Sequence, residues 1–330
     1  MIKLSRLAVT VAVVASAVIA LRASSTRLCS GFLPENTMRI PVSPFHVSSG
    51  LDEATFNRVL DRVQAIYGPE VAAHGGQLAI DRRWSDPTVN AYANRAFWGN
   101  TWTIHMFGGL ARHPAMTEEG FALVACHELG HHLGGAPKLS GLMARYLRMG
   151  AWATNEGGAD YFATLKCMRR VVPSTQSTID AYAEQACAAS FPDGPGRDAC
   201  RVGAAAGQSV AFVFQSLRKS DTAPRFDTPD ASIVSAMNDD HPEPQCRLDT
   251  YFNGALCPKP VGEQVSDNDP NPGACTRLQG YQVGLRPLCW YKPPVNEPMG
   301  PSLVDHLTPQ DSRRLGERLQ SLGSALQGLR

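Results

Sequence analysis

Net charge is nearly absent from this sequence. Among its 330 residues, 31 lysines and arginines are balanced by 30 aspartates and glutamates, which leaves a formal charge of +1. A protein that binds nucleic acid or an anionic membrane through surface charge needs a basic excess. We therefore expect no nucleic-acid partner.

Long apolar runs are also missing. Residues 7–21 carry no charge and follow Lys3 and Arg6, but this run is shorter than the roughly 20 apolar residues of a membrane-spanning helix, and no later run is long enough. The pattern is typical of a signal peptide over residues 1–23, with an uncleaved N-terminal anchor as the alternative. We expect a periplasmic or secreted protein with no further integral membrane domain.

The nine cysteines include no CxxC pair, so a second metal site of that type is not expected. Cysteines of an exported protein tend to form disulfides. Cys126 lies in an apolar predicted helix and is expected to be the unpaired thiol. Proximity in the sequence favours the bridges Cys187–Cys200, Cys246–Cys257 and Cys275–Cys289, which leaves Cys29 for Cys167.

Hydrophobic periodicity predicts an α+β fold. Helical patterns occupy residues 51–66, 117–133, 155–170 and 206–217, and strand-like patterns occupy residues 77–84 and 98–107. From about residue 185 the chain is rich in Gly, Pro, Asn and Cys, which indicates loops held by disulfides. We expect one main domain over residues 24–260, with a Cys-, Pro- and Gly-rich extension over residues 261–330 packed on it.

The segment ACHELGHHLGG, residues 125–135, contains an HExxH motif on a predicted helix. His127 and His131 are four residues apart, so they share a helical face about 6 Å apart and can bind one Zn²⁺. Glu128 is rotated by about 100° from His127, which suits a general base that is not itself a ligand. His132 is rotated off the ligand face in the same way and is expected to be a supporting polar residue.

A catalytic zinc site needs a third protein ligand and one open position. NEGGAD, residues 155–160, begins a second predicted helix on which Glu156 and Asp160 share a face. Glu156 can bind zinc, while Asp160 can accept a hydrogen bond from a ligand imidazole such as His127. The alternative is an ordinary acidic pair on a helix surface. Gly157 and Gly158 are poor helix formers, which indicates that another group passes closely there.

Five segments in this order resemble the gluzincin metallopeptidases of the CAAX prenyl endopeptidase and HtpX group. They cover about residues 85–250 and are NAYA (90–93), WTIHMFGGL (102–110), FALVACHELGHH (121–132), NEGGADYFA (155–163) and HPEPQCR (241–247). Many relatives cross the membrane several times, and this chain lacks such spans. The resemblance therefore points to a soluble, exported bacterial branch, and a prenylated-peptide substrate is not implied.

The resemblance implies a zincin-like fold, in which the HExxH helix and a Glu-bearing helix lie beside a small sheet with an edge strand. It also implies a zinc endopeptidase that binds a single Zn²⁺ through His127, His131 and Glu156, with Glu128 as base. The substrate would be a peptide or protein that pairs with the edge strand. The side chains assigned to this strand are Trp102, Ile104 and Met106.

Two further residues come from the HPEPQCR segment. In gluzincins a histidine or tyrosine from the far side of the cleft often stabilises the oxyanion, and His241 is the candidate here. A loop histidine before a proline turn is the equal alternative. Arg247 is expected to form a structural salt bridge with a carboxylate near the site.

Two other functions fit the same motifs. One is a zinc-stapled binding module that does not cleave its partner, although such a module has no need of Glu128. The other is a zinc amidase that acts on cell-wall peptide.

Overall fold

A computed structural model describes residues 31–43, 50–96, 99–139, 152–173, 178–219 and 221–297. The predicted signal peptide and Cys29 lie outside these residues. The described chain has an α+β architecture, as predicted, in which helices pack around a small three-stranded sheet. None of its helices is long and apolar enough to cross a membrane.

The sheet has the strand order β1-β3-β2, with β1 at Gln77–Arg83, β2 at Ala91–Arg95 and β3 at Thr101–Phe107. β3 pairs in parallel with β1 and antiparallel with β2. The edge strand predicted at Trp102, Ile104 and Met106 is therefore wrong. These residues belong to the middle strand, whose two backbone edges are both used, and Ile104 and Met106 are completely buried.

Helices are the commonest regular structure in the rest of the described chain, and all four predicted helical segments are confirmed. Residues after 185 are more helical than the composition indicated, because small residues such as alanine and glycine pack there instead of forming loops. The helices are α1 Glu53–Ala73, α2 Gly108–Ala111, α3 Glu118–Leu133, α4 Glu156–Phe162, α5 Met168–Val171, α6 Ala181–Ser190, α7 Pro195–Arg218 and α8 Pro244–Leu256; a π-turn at Ala163–Cys167 joins α4 to α5.

Helix α3 is the buried centre of the molecule. Thr117 caps its N-terminus by accepting a hydrogen bond from the Gly120 amide, and Glu118 and Glu119 occupy the first turn, where the helix dipole favours negative charge. Every residue from Gly120 to Leu133 is buried. The helix ends at Gly134, as the sequence predicted.

The disulfides correct most of the predicted pairing. Cys187–Cys200 is confirmed. The other three bridges join residues that proximity did not pair: Cys126–Cys167, Cys246–Cys289 and Cys257–Cys275. Cys126 is not a free thiol, because α3 packs beside the continuous helix formed by α4, the π-turn and α5, which brings Cys167 to within 5.5 Å (Cα–Cα).

The described part of the C-terminal extension, residues 261–297, packs on the helices. Two disulfides tie it to α8 and to Cys257 at the C-terminus of that helix. The Trp290 ring lies directly on Gly157 of α4, where an added Cβ would come within 2.2 Å of the indole. The close approach that the two glycines of NEGGAD indicated is therefore confirmed.

We predict that removing the Cys126–Cys167 bridge by a double Cys→Ala substitution lowers the free energy of unfolding by about 4 kcal/mol, because the bridge closes a long loop in the unfolded chain. The matched control removes Cys187–Cys200, which closes a shorter loop, and should cost about 3 kcal/mol. Denaturant unfolding of both variants measures the difference. If the Cys126–Cys167 variant lost less stability than the Cys187–Cys200 variant, loop length would not explain the contribution of that bridge.

Candidate metal centre

Helix α3 presents two imidazoles at one point in the interior. The rings of His127 and His131 lie with their centroids 4.7 Å apart and nearly perpendicular to each other. Both side chains are completely buried. The four-residue spacing therefore places both histidines on one helical face, as predicted.

Helix α4 brings the predicted third ligand to the same point. Glu156 Oε2 lies 3.3 Å from His127 Nε2, and Glu156 Oε1 lies 3.7 Å from His131 Nε2. The two helices can approach this closely because Gly130 faces Ala159, where an added Cβ would lie 2.9 Å from the Ala159 carbonyl oxygen. Asn155 caps α4 by accepting a hydrogen bond from the Gly158 amide.

Asp160 lies between His127 and the buried guanidinium of Arg247. Its Oδ1 lies 2.6 Å from His127 Nδ1, and Arg247 donates two hydrogen bonds of 2.8 Å to the two carboxylate oxygens. Asp160 and Arg247 are both almost completely inaccessible to solvent. The structural salt bridge predicted for Arg247 is confirmed, and so is the position of Asp160 behind His127.

The second histidine is oriented by the backbone. His131 Nδ1 lies 2.8 Å from the carbonyl oxygen of Thr154, just before α4. Since a carbonyl can only accept, Nδ1 carries the proton and Nε2, which lies 3.7 Å from Glu156 Oε1, keeps a free lone pair. Thr154 was not found from the sequence, because it acts through its main chain and no side-chain pattern marks it.

These groups fit a metal ion. Within the described residues, five buried side-chain atoms around the shared point have no hydrogen-bond partner: Nε2 of His127, Nε2 of His131, Oε2 of Glu156 and both carboxylate oxygens of Glu128. Buried polar atoms are rarely left in this state without a reason. Two imidazole nitrogens and one carboxylate form the donor set of a catalytic zinc site, and His127, Glu128 and His131 form one possible metal-binding group.

Burial and neighbouring charges shift the pKa values of these groups. Burial alone would lower the pKa of His127, but the adjacent Asp160 and Glu156 carboxylates raise it to about 9. Burial lowers the pKa of His131 to about 4. Burial would raise the pKa of Glu156, but the two histidines lower it to about 2, so Glu156 stays an anion that attracts a cation.

Glu128 is in a different environment from Glu156. Its carboxylate is completely buried on α3, lies within 4.8 Å of a ring nitrogen of both histidines, and accepts no hydrogen bond. Burial raises its pKa to about 8, and the attraction of His127 opposes the shift only in part. A carboxyl group with a pKa close to neutrality can both take and return a proton.

His241 lies next to the site. Its Nε2 is 3.4 Å from Glu156 Oε2, and it donates a hydrogen bond to the carbonyl oxygen of Gly31. His132 points away, as predicted, and lies between the rings of Trp102 and Trp152. His132 is therefore not placed to bind the same metal.

Phe32 is a site neighbour that the sequence did not indicate. The edge of its ring contacts His127 at a centroid distance of 5.0 Å, and Arg247 lies over its face at 4.4 Å. It belongs to a proline-containing segment without periodicity, so no pattern marked it as buried.

Comparison of the chain with models of protein families, with curated proteins and with solved structures gives no match. The site is therefore interpreted from its own geometry and chemistry.

We predict that zinc binding at pH 7 releases about one proton from His127. Its pKa of about 9 means that the metal-free imidazole carries a proton that zinc must displace. Affinity should therefore rise with pH up to about 9 and then level off. Calorimetry in buffers of different ionisation enthalpy measures the release.

Asp160→Asn provides the control for this prediction. It removes the charge that raises the pKa of His127, so the released proton number at pH 7 should fall. An unchanged value would show that His127 is not the group that loses the proton.

Proposed function

We propose that this protein is an exported zinc-dependent metalloendopeptidase with a gluzincin arrangement in a zincin-like catalytic domain. The observation that carries the proposal is the convergence of His127, His131 and Glu156 on one buried point beside the unpartnered carboxylate of Glu128. The four disulfides favour an oxidising compartment, such as the periplasm or the extracellular space.

The ligands would be His127 Nε2, His131 Nε2 and the Glu156 carboxylate. Zinc in such a site supplies Lewis acidity, which polarises a carbonyl and lowers the pKa of water towards about 7. Asp160, whose Oδ1 lies 2.6 Å from His127 Nδ1, would accept a hydrogen bond from that N–H and fix the tautomer that exposes Nε2. Arg247 holds Asp160 in place and compensates its buried charge.

Glu128 would act as the general base. Its carboxylate takes a proton from the attacking water and then donates that proton to the leaving amine of the cleaved peptide bond. The elevated pKa of about 8 suits this double role, and zinc would move it downward by electrostatic attraction. His241, whose Nε2 lies 3.4 Å from Glu156 Oε2, would donate a hydrogen bond to the developing oxyanion.

The environment of Glu128 argues against a zinc-stapled module without activity. Burying a carboxylate that accepts no hydrogen bond lowers the free energy of unfolding by roughly several kcal/mol. A structural zinc site has no use for that group. A role as general base would explain why this carboxylate is buried despite its cost in stability.

We predict that Glu128→Gln abolishes peptide hydrolysis, by about 10²-fold or more, while zinc remains bound. The amide keeps the size of the side chain but cannot take a proton. Casein cleavage and metal analysis of the purified variant measure the two properties. Glu119→Gln, on the first turn of the same helix, is the matched control and should retain full activity.

Removal of the metal provides a separate prediction. A zinc chelator should abolish hydrolysis, and stoichiometric Zn²⁺ should restore it, because no residue described around the site replaces the Lewis acid. Activity that survives complete chelation would contradict the proposed function. A substrate panel containing casein and cell-wall peptides distinguishes an endopeptidase from an amidase.

A further inference from the structure

The candidate site is closed in this structure. The side chains of His127, Glu128, His131 and Asp160 are completely buried, and Glu156 is almost so. A polypeptide substrate must reach these groups, so some part of the chain has to move.

Residues 31–33, which we call the strap, lie against the site. Phe32 is completely buried, and its ring contacts His127 and stacks on Phe214 at 6.0 Å. The strap belongs to none of the helices or strands. It is held by contacts with the site and with β2.

Two carbonyl groups of the strap are bound by site residues. The Gly31 oxygen accepts a hydrogen bond from His241 Nε2, and the Phe32 oxygen accepts one of 2.5 Å from Arg247 Nη1. His241 is the residue expected to hold the carbonyl of a substrate. The Gly31 carbonyl therefore accepts the hydrogen bond that His241 would donate to a substrate during hydrolysis.

The strap also pairs with an edge of the sheet. The Phe32 amide donates to the Ala91 oxygen at 2.8 Å, at the start of β2, and Asn90 bonds both the amide and the carbonyl of Leu33. Further along, Arg39 forms an antiparallel bridge with Thr88. An extended segment that adds to a sheet edge is the arrangement by which many peptide substrates are bound.

We propose that the strap is an internal pseudosubstrate, which occupies the backbone-binding positions of the cleft and must be displaced before a polypeptide substrate can bind. This inference rests on the proposed function. The proposal requires a substrate that is an extended peptide. This peptide would pair with the edge of β2, and one of its carbonyl groups would accept a hydrogen bond from His241. Binding of such a peptide competes with the strap, so its apparent affinity is the intrinsic affinity multiplied by the fraction of molecules in which the strap is open.

Gly31 offers a precise way to test this competition. Its φ is +95°, and an added Cβ would come within 3.0 Å of the Ala91 oxygen, so Gly31→Ala should loosen the strap without removing any site group. Gly99 has an almost identical φ of +94°, with open space around the added Cβ. Gly99→Ala is therefore the matched control for backbone strain.

The readouts are the dissociation constant of a peptidyl hydroxamate, which binds zinc, and the rate at which dipicolinate removes zinc. In the full-length zinc-loaded protein, Gly31→Ala should bind the hydroxamate about fivefold more tightly than the wild type and lose zinc faster. Gly99→Ala should match the wild type in both assays. Asn90→Ala, which removes two hydrogen bonds to the strap, is the second variant and should shift both readouts in the same direction.

A peptide of sequence GFLPEN, copied from residues 31–36, adds a test in trans. It should compete with the hydroxamate on Gly31→Ala and have little effect on the wild type, whose own strap is in place.

Unchanged or weaker hydroxamate binding in both folded, zinc-loaded variants would overturn the proposal and make the strap a fixed part of the site. Failure of the proposed function looks different: wild type and variants would bind zinc but cleave no peptide. The comparison of hydroxamate affinities would still decide the role of the strap.

Discussion

The structure depends on one buried carboxylate. Asp160 lies 2.6 Å from His127 Nδ1 on one side and accepts two hydrogen bonds from Arg247 on the other, all without access to solvent. An ionised carboxylate is stable in such a place only when it is paired and hydrogen-bonded. Arg247 lowers the pKa of Asp160, and Asp160 in turn raises that of His127. Helices α3, α4 and α8 are therefore joined at the point where these charges compensate, and this contact fixes the positions of the proposed metal ligands.

Two further contacts hold α3 and α4 together next to Asp160. α3 and α4 approach through Gly130 and Ala159, and the Cys126–Cys167 bridge joins α3, one residue before His127, to the π-turn that continues α4. The bridge and the glycine contact lie on the two helices that carry the proposed ligands, so both restrain the relative position of these helices. Such restraint suits the proposed metal site, in which His127, His131 and Glu156 would have to keep a fixed arrangement to within about 0.5 Å.

The sequence was most informative where the contacts are local. The pairs His127–His131 and Glu156–Asp160 are each set by one turn of helix, so spacing alone places both residues of a pair on one face. The family resemblance pointed to His241 and Arg247, which lie beside the site. Contacts between distant segments were not accessible: three of the four disulfides, the central position of β3 and the burial of Phe32 all depend on how elements pack. Nothing in the local pattern around Cys126 distinguishes a buried thiol from a half-cystine.

Trp290 has a consequence for how the protein is made. Its indole fills the space beside Gly157 on the helix that carries Glu156, and its neighbour Cys289 is bonded to Cys246 on the helix that carries Arg247. A chain emerging N-terminus first contains every proposed ligand by residue 156, yet it lacks the ring that packs on the helix of Glu156 until residue 290 has emerged. We therefore expect the helix that carries Glu156 to reach its final packing only after residue 290 has emerged and Cys289 has paired with Cys246.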